Sequence, residues 1–146
     1  MKKMILIITV WGIVCLLVYA PESNIMVIVN SPTFQKSDPL LQAHIYKESR
    51  NDPDAYNETE EAAGILQIRP IMIREVNRIL TLQKSKIRFT LADRYDPKKS
   101  VQVWYIVQDY WNPDYNPRIA SRMWNGGTPR YKKQSEEYYN QIKLLL

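Results

Sequence analysis

The sequence repeats one helix-starting signal three times. Asp38-Pro39, Asp96-Pro97 and Asn116-Pro117 each place a short polar side chain directly before a proline. Aspartate and asparagine are favourable N-cap residues, and proline is favourable at the first helical position, where its missing N–H is not needed. Glycine is scarce, at 4 residues in 146, and alternating apolar runs are few, which argues against a β-sandwich. The chain is therefore predicted to be mainly helical and long enough for one domain with one core.

Apolar residues at helical spacing extend this prediction along the chain. Pro70 opens a further helix, whose predicted buried face consists of Ile71, Ile73, Val76, Ile79 and Leu80. The helix after Pro97 is predicted to be central, because it carries Val101, Trp104, Tyr105, Val107 or Gln108, and Trp111. The next helix ends at Asn125-Gly126-Gly127, where glycine is expected to supply a left-handed C-cap, and a last helix is expected from about Ser135 to Leu145. The predicted fold is about five helices around one core, with at most a small hairpin within residues 51–63.

Residues 1–20 form a predicted targeting segment. Lys2 and Lys3 precede an uncharged run from Met4 to Ala20, which ends in small residues suited to cleavage. The run of about 17 residues is at the lower limit for spanning a bilayer, so a cleaved signal peptide and a retained membrane anchor at residues 4–20 both stay open. Either way the domain is expected to be exported, to the periplasm or cell envelope. Residues 21–37 are predicted to be a lead or linker, and residues 38–146 the folded domain.

Cysteine, histidine and charge narrow the function classes. The only cysteine, Cys15, lies in the targeting segment, which excludes a cysteine nucleophile and a disulfide framework from the rest of the chain. The only histidine, His44, is predicted to pack within its helix, so no metal site and no cofactor are expected. The formal charge is +5, and it falls by two without residues 1–20, which hold two lysines and no acid. This charge suits an anionic envelope partner, although an ordinary soluble surface explains it equally well, and nucleic acid is disfavoured.

Glu48 is the acid best placed for catalysis. Leu41, Ile45 and Glu48 are separated by four and three residues, so they share one face of the first helix. Desolvation against apolar neighbours raises the pKa of a carboxyl, and an acid catalyst of glycoside cleavage needs such a pKa. Periodicity alone favours a plainer alternative, in which Glu48 is exposed or paired with Lys47 or Arg50 at the helix end.

A second catalytic carboxylate is not indicated by spacing. The available acids are more simply explained as loop charges or helix caps; they are Asp52, Glu58, Glu60, Glu61, Asp93 and Asp96. We therefore expect no dedicated nucleophile of the kind that two-carboxylate glycosidases use. Aromatic residues beside loops suit a sugar-binding cleft, and Trp124, Tyr131 and Tyr138 are the best placed of these.

Several of these residues form ordered motifs. They are Glu48-Ser49, Pro53, Ala55, Gly64-Ile65-Leu66-Gln67-Ile68, Pro70, Trp124-Asn125-Gly126-Gly127, Ser135 and Tyr138. Over residues 40–143 this order resembles the soluble lytic transglycosylase catalytic domain, which belongs to the lysozyme-like superfamily and is related to goose-type lysozyme. Three departures are visible: one additional residue between Glu48 and Gly64, Leu66 where methionine is common, and Trp124 where tyrosine is common.

The resemblance implies a lysozyme-like helical fold and a mechanism with one acid. Glu48 would protonate the oxygen between N-acetylmuramic acid and N-acetylglucosamine, then act as base on the muramoyl C6 hydroxyl to give a 1,6-anhydro end. Gln67 and Asn125 would bind sugar N-acetyl or hydroxyl groups, Tyr138 would lie near the acid, and Ser49 and Trp124 complete the candidate substrate-binding set. Each of three residues also has a purely structural alternative. Gln67 could only support the loop, Asn125 could only end its helix, and Tyr138 could only pack in the core.

Two other functions stay open at this point. One is a lysozyme-type peptidoglycan hydrolase, including a phage lysin. The other is a non-catalytic glycan-binding envelope protein with the same fold.

Overall fold

The computed structural model of the protein describes residues 38–127 and 134–146. Within these ranges the chain forms five α-helices, one 3₁₀ helix and one two-stranded sheet. The elements in chain order are α1 (Pro39–Ser49), β1 (Tyr56–Asn57), β2 (Ala62–Ala63), α2 (Pro70–Leu82), the 3₁₀ helix (Ala92–Tyr95), α3 (Pro97–Trp111), α4 (Pro117–Gly126) and α5 (Gln134–Lys143). The predicted mainly helical fold with a small hairpin is confirmed. The predicted targeting segment, the lead and Tyr131 lie outside the described residues.

The three predicted cap-and-proline signals each begin a helix. The side chains of Asp38, Asp96 and Asn116 all accept hydrogen bonds from backbone N–H groups two or three residues further on. Asp38 has a second role, because its Oδ2 atom accepts the hydroxyl groups of Tyr105, at 2.8 Å, and Tyr115. One carboxylate therefore caps α1 and also ties this helix to α3 and to the segment before α4.

Helix α3 is the centre of the core, as predicted. Its middle is buried almost continuously, from Ser100 to Gln108. Helix α2 packs against α3, α4 against α5, and α1 against α5. These contacts bring the C-terminal end of α1 close to the last helix, although about ninety residues separate them in sequence.

The strands β1 and β2 pair antiparallel, with Tyr56 opposite Ala63 and Asn57 opposite Ala62. The loop that follows β2 is held against the 3₁₀ helix. Gly64 has a φ of +76°, and a Cβ atom at this position would lie 1.8 Å from the carbonyl oxygen of Arg94. Only glycine permits both this backbone conformation and this close approach.

Three details of the helices differ from the sequence predictions. Ile71 is not part of the buried face of α2, because it is 61% exposed near the first turn. Gly127 caps α4 with φ +80° and ψ 164°, which is a positive-φ extended conformation and not the left-handed helical one. The 3₁₀ helix was not predicted, since a single turn is too short to show a helical period.

No helix within residues 38–127 and 134–146 has the length and apolar character needed to cross a membrane.

Candidate active site

Glu48 lies at the end of α1, one residue before its last. The helix stops here because Arg50 adopts a left-handed conformation, with φ 56°, and its N–H bonds to the carbonyl oxygen of Tyr46 at 3.0 Å. The Glu48 side chain is half-buried. The Tyr138 hydroxyl, which comes from α5, donates a hydrogen bond to Oε1 of Glu48 at 2.6 Å.

Burial sets the acidity of Glu48. Desolvation raises the pKa of its carboxyl from 4.5 to about 7, because the charged form loses hydration. The hydrogen bond from Tyr138 and the charges of Lys47 and Arg69 act in the opposite direction, and the charge of Glu60 adds to the rise. Desolvation dominates, so Glu48 keeps its proton to a higher pH than a solvated glutamate does.

Tyr138, which bonds to this carboxyl, packs against His44, with their ring centroids 5.7 Å apart. Desolvation, together with the neighbouring Glu48, raises the pKa of Tyr138 well above its usual value, so the phenol stays a hydrogen-bond donor. His44 is fully buried, and its Nδ1 lies 2.8 Å from the carbonyl oxygen of Leu40. Burial lowers the pKa of His44 to about 4, so the ring is neutral near pH 7. The prediction of a packed helix histidine is confirmed.

Ser49 and Gln67 hold the loop after β2 against the end of α1. The Ser49 hydroxyl donates to the carbonyl oxygen of Ile65 at 2.9 Å. The Gln67 amide nitrogen donates to the carbonyl oxygens of Ala55 and Gly64, both at 3.1 Å. Both N–H bonds of the Gln67 side-chain amide thus support the loop.

Gln67 and Trp124 meet at a cavity of about 200 Å³. Trp124 is only 5% exposed, and its indole N–H donates to the carbonyl oxygen of Leu66 at 3.2 Å. Asn125 is exposed at the end of α4, and its backbone carbonyl accepts a hydrogen bond from Arg69 at 3.2 Å. The described lining of the cavity does not include Glu48. The structure therefore brings together two pairs of predicted residues, Glu48 with Tyr138 and Gln67 with Trp124.

Comparison with known protein families places the chain that carries this site. The family model described as the Transglycosylase SLT domain matches residues 25–145. The chain belongs to the SLT domain family. Comparison with curated proteins and comparison with solved structures gave no significant match. Family membership confirms the resemblance and supports peptidoglycan cleavage of the lytic transglycosylase type, which acts in the cell envelope and implies export.

Three other acids of this SLT domain, which the sequence left available as a second carboxylate, have structural partners. Asp96 caps α3, Asp93 pairs with Lys99, and Asp52 accepts the N–H of Asp54 in the loop after α1. Glu60 differs from these, because its charge acts on Glu48 while its own side chain is 54% exposed. Among the residues described, no three His, Cys, Asp or Glu side chains cluster as metal ligands would.

Two arginines near the site were missed by the sequence reasoning. The guanidinium of Arg94 is buried and donates to three carbonyl oxygens, those of Leu91, Glu61 and Ile68, at 2.8, 2.5 and 3.1 Å. Arg69 lines the cavity beside Gln67. Arg69 could have been noticed as a cation that interrupts an apolar run just before Pro70, whereas Arg94 lies in a turn with no periodic signal.

Proposed function

We propose that this SLT domain is a peptidoglycan lytic transglycosylase in which Glu48 is the single catalytic acid and base. The observation that carries the proposal is the half-buried Glu48 carboxyl, with a pKa raised to about 7 and a hydrogen bond from Tyr138. A group with this pKa exists in both protonation states near neutral pH, so it can give a proton and later take one back.

The proposed reaction needs no water. The Glu48 carboxyl gives its proton to the glycosidic oxygen between N-acetylmuramic acid and N-acetylglucosamine, and the bond from this oxygen to the muramoyl C1 breaks. The muramoyl C6 hydroxyl oxygen then bonds to C1 and loses its proton to the Glu48 carboxylate. The enzyme regains its starting proton, and the product carries a 1,6-anhydro ring. Tyr138 occupies Oε1, which leaves Oε2 to carry the transferred proton.

Three further residues are proposed to bind the sugars. The Gln67 carbonyl oxygen can accept an N-acetyl N–H, while the Trp124 side chain lines the same cavity. The Asn125 side chain is exposed at the rim, where an amide can bind a hydroxyl or N-acetyl group. The Ser49 hydroxyl acts indirectly, because it is already bonded to Ile65 and fixes the loop.

A lysozyme-type hydrolase is the second candidate, and one observation favours it. Glu60 is close enough for its charge to raise the pKa of Glu48. A hydrolase would use a second carboxylate of this kind to activate water. Because Glu60 is exposed and paired with Arg69 at 3.8 Å, the single-acid mechanism remains our preferred one.

Analysis of muropeptide products by mass spectrometry tests the proposal. Purified peptidoglycan is digested with wild type, Glu48→Gln, Glu60→Gln and, as a matched exposed control from the same loop, Glu58→Gln. We expect anhydro-muramoyl ends from wild type and from both loop variants. The Glu48→Gln variant should lose at least about a thousandfold in rate, because the acid and the base are both removed.

Each alternative predicts a different result. Reducing muramic ends together with loss of activity in Glu60→Gln would identify a hydrolase. Near-normal activity of Glu48→Gln would refute the site. Binding to peptidoglycan without any cleavage by wild type would identify a non-catalytic glycan-binding protein.

Export is proposed to depend on residues 1–20, as a cleaved signal peptide or as an anchor through residues 4–20. Family membership supports an envelope location. N-terminal sequencing of the protein recovered from the envelope distinguishes the two forms, since only the anchor retains Met4 to Ala20.

A further inference from the structure

A cation stands at the rim of the cavity that Gln67 and Trp124 line. Arg69 is the last residue before α2, and its side chain is 32% exposed. The cavity wall around it is mixed, with apolar Met72 and Trp124, polar Gln67 and Glu75, and Gly127. The site thus combines a concave apolar surface with one half-exposed guanidinium, as binding sites for small charged groups do.

The described contacts of Arg69 leave its charge weakly compensated. Its Nη2 donates to a neutral carbonyl oxygen, that of Asn125, at 3.2 Å. Its Nη1 lies 3.8 Å from Oε1 of Glu60, which is a long ion pair to an exposed carboxylate. A guanidinium has five N–H donors in a planar fork, so these two contacts use only part of its capacity.

The other charge at the cavity is already paired. The carboxylate of Glu75 accepts both a 2.8 Å and a 2.7 Å hydrogen bond from Arg78 and a further bond from Trp111 at 2.9 Å. These bonds hold the pKa of Glu75 below its usual value. Because Glu75 is neutralised by Arg78, Arg69 is the available charge among the described residues that line the cavity, and it favours an anionic ligand.

We propose that the cavity beside Arg69 binds a carboxylate carried by the muramoyl residue of the glycan substrate. This inference rests on the proposed function, which supplies the glycan. Arginine suits the role because its fork matches the two oxygens of a carboxylate. The carboxylate has two sources in peptidoglycan: the free lactyl group of a strand without peptide, and the acidic stem peptide of an intact strand.

A carboxylate bound at Arg69 would also raise the pKa of the catalytic acid, Glu48. Among the described residues, the charged and titratable groups that act on Glu48 are Tyr138, Lys47, Arg69 and Glu60, and the charge of Arg69 lowers the pKa of Glu48. A ligand carboxylate paired with Arg69 opposes this effect and keeps the acid protonated to higher pH. The correct substrate would therefore strengthen the proton donor that cleaves it.

Calorimetric titration of three ligands tests the site. The full-length Glu48→Gln protein is used, so that no ligand is cleaved. The ligands are chitotetraose, which has no carboxylate, the disaccharide of N-acetylglucosamine and N-acetylmuramic acid with a free lactyl group, and the same disaccharide with its stem peptide. Arg69→Gln and Arg69→Lys are compared with Arg74→Gln, which changes an exposed arginine on helix α2, the helix that follows Arg69.

Arg69→Gln is expected to weaken binding of a carboxylate-bearing ligand about tenfold relative to chitotetraose, as loss of a charge-assisted hydrogen bond does. Arg69→Lys should retain part of this preference, because it keeps the charge and loses the fork. Arg74→Gln should leave it unchanged. The ligand that loses more affinity identifies the source of the carboxylate.

An equal loss for all three ligands would overturn the proposal, since it would mean that Arg69 only supports Asn125. Unchanged binding in Arg69→Gln would overturn it as well. Thermal melting of each variant separates these outcomes from unfolding, and Arg69→Lys keeps the test decisive if Arg69→Gln does not fold. Binding is measured without cleavage, so the two proposals are tested separately. A carboxylate preference that depends on Arg69 would support the binding site even if wild type does not cleave peptidoglycan. Loss of the binding proposal would leave the proposed reaction unaffected.

Discussion

Replacing Glu48 with glutamine is expected to change how the stability of the protein depends on pH. The folded state raises the pKa of this carboxyl from 4.5 to about 7, chiefly by desolvation. Below the lower value the group is protonated in both the folded and the unfolded chain, so the substitution matters little. Between the two values the folded chain binds more protons, and the free energy of unfolding falls as pH rises. At about 1.4 kcal/mol per pH unit, the total loss attributable to Glu48 is ~3 kcal/mol above pH 7.

The glutamine side chain does not ionise, so the free energy of unfolding of the variant does not fall with pH at this position. We expect the free energy of unfolding of Glu48→Gln, relative to wild type, to rise by ~3 kcal/mol from about pH 4 to about pH 8. Urea denaturation at a series of pH values measures this difference. The matched control is Glu75→Gln, because hydrogen bonds from Arg78 and Trp111 lower the pKa of Glu75. Ionised Glu75 stabilises the folded protein above the ordinary pKa of glutamate, and this stabilisation is lost on acidification. Glu75→Gln should therefore be less stable than wild type at neutral pH, and the difference should shrink in acid.

A constant difference between Glu48→Gln and wild type across this range would refute the reasoning. So would a difference that falls with rising pH. The first result would mean that the pKa of Glu48 is the same in the folded and the unfolded chain, and the second that folding lowers it. In both cases the assignment of Glu48 as a raised-pKa acid would lose its physical basis.

Three further predictions concern the surroundings of the acid. Tyr138→Phe removes a hydrogen bond that lowers the pKa of Glu48, so the decline of kcat/KM at high pH should move to higher pH in rate profiles of muropeptide release. Gly64→Ala should cost at least ~2 kcal/mol more than Gly127→Ala in thermal denaturation, because both have positive φ but only Gly64 lacks space for a Cβ atom. Arg94→Met should cost about 3 kcal/mol in urea denaturation, because three carbonyl oxygens lose a buried charged donor.

Distinct results would contradict each of these predictions. An unmoved or acid-shifted profile in Tyr138→Phe would mean that the tyrosine does not stabilise the carboxylate. Equal costs at the two glycines would mean that the loop after β2 can move away from Arg94. Arg74→Met, at an exposed position, is the control for Arg94→Met. If both variants lose the same free energy of unfolding, water replaces the lost donor at Arg94.

The helix starts were predictable because their causes are local. A capping side chain and a proline act on the next few backbone groups, and Asp38, Asp96 and Asn116 do so in the structure as in the sequence. The apolar period likewise identified α3 as central. The prediction for Ile71 was wrong because periodicity gives the direction of a side chain, whereas its 61% exposure depends on how the elements pack.

For the candidate site as well, residue identities could be predicted from the sequence, whereas contacts between distant residues could not. Sequence motifs singled out Glu48, Gln67 and Tyr138, and the family match spans the part of the chain that contains all three residues. The position of Glu48 on an apolar face suggested a raised pKa without deciding between burial and exposure. The roles of Gln67 and Ser49 as donors to the loop backbone could not be read from residue type, because they depend on which carbonyl groups the chain turns toward them.

The sequence by itself determined where the helices begin, that the chain is mainly helical and which family it belongs to, because these properties depend on local backbone chemistry and on the order of motifs. Only the tertiary structure decided that Tyr138 meets Glu48 across ninety residues and that burial outweighs the nearby positive charges. It also placed Arg69 at the cavity and Arg94 beneath the loop. Desolvation and pairing are properties of the packed chain, since they depend on which distant segments exclude water from a side chain.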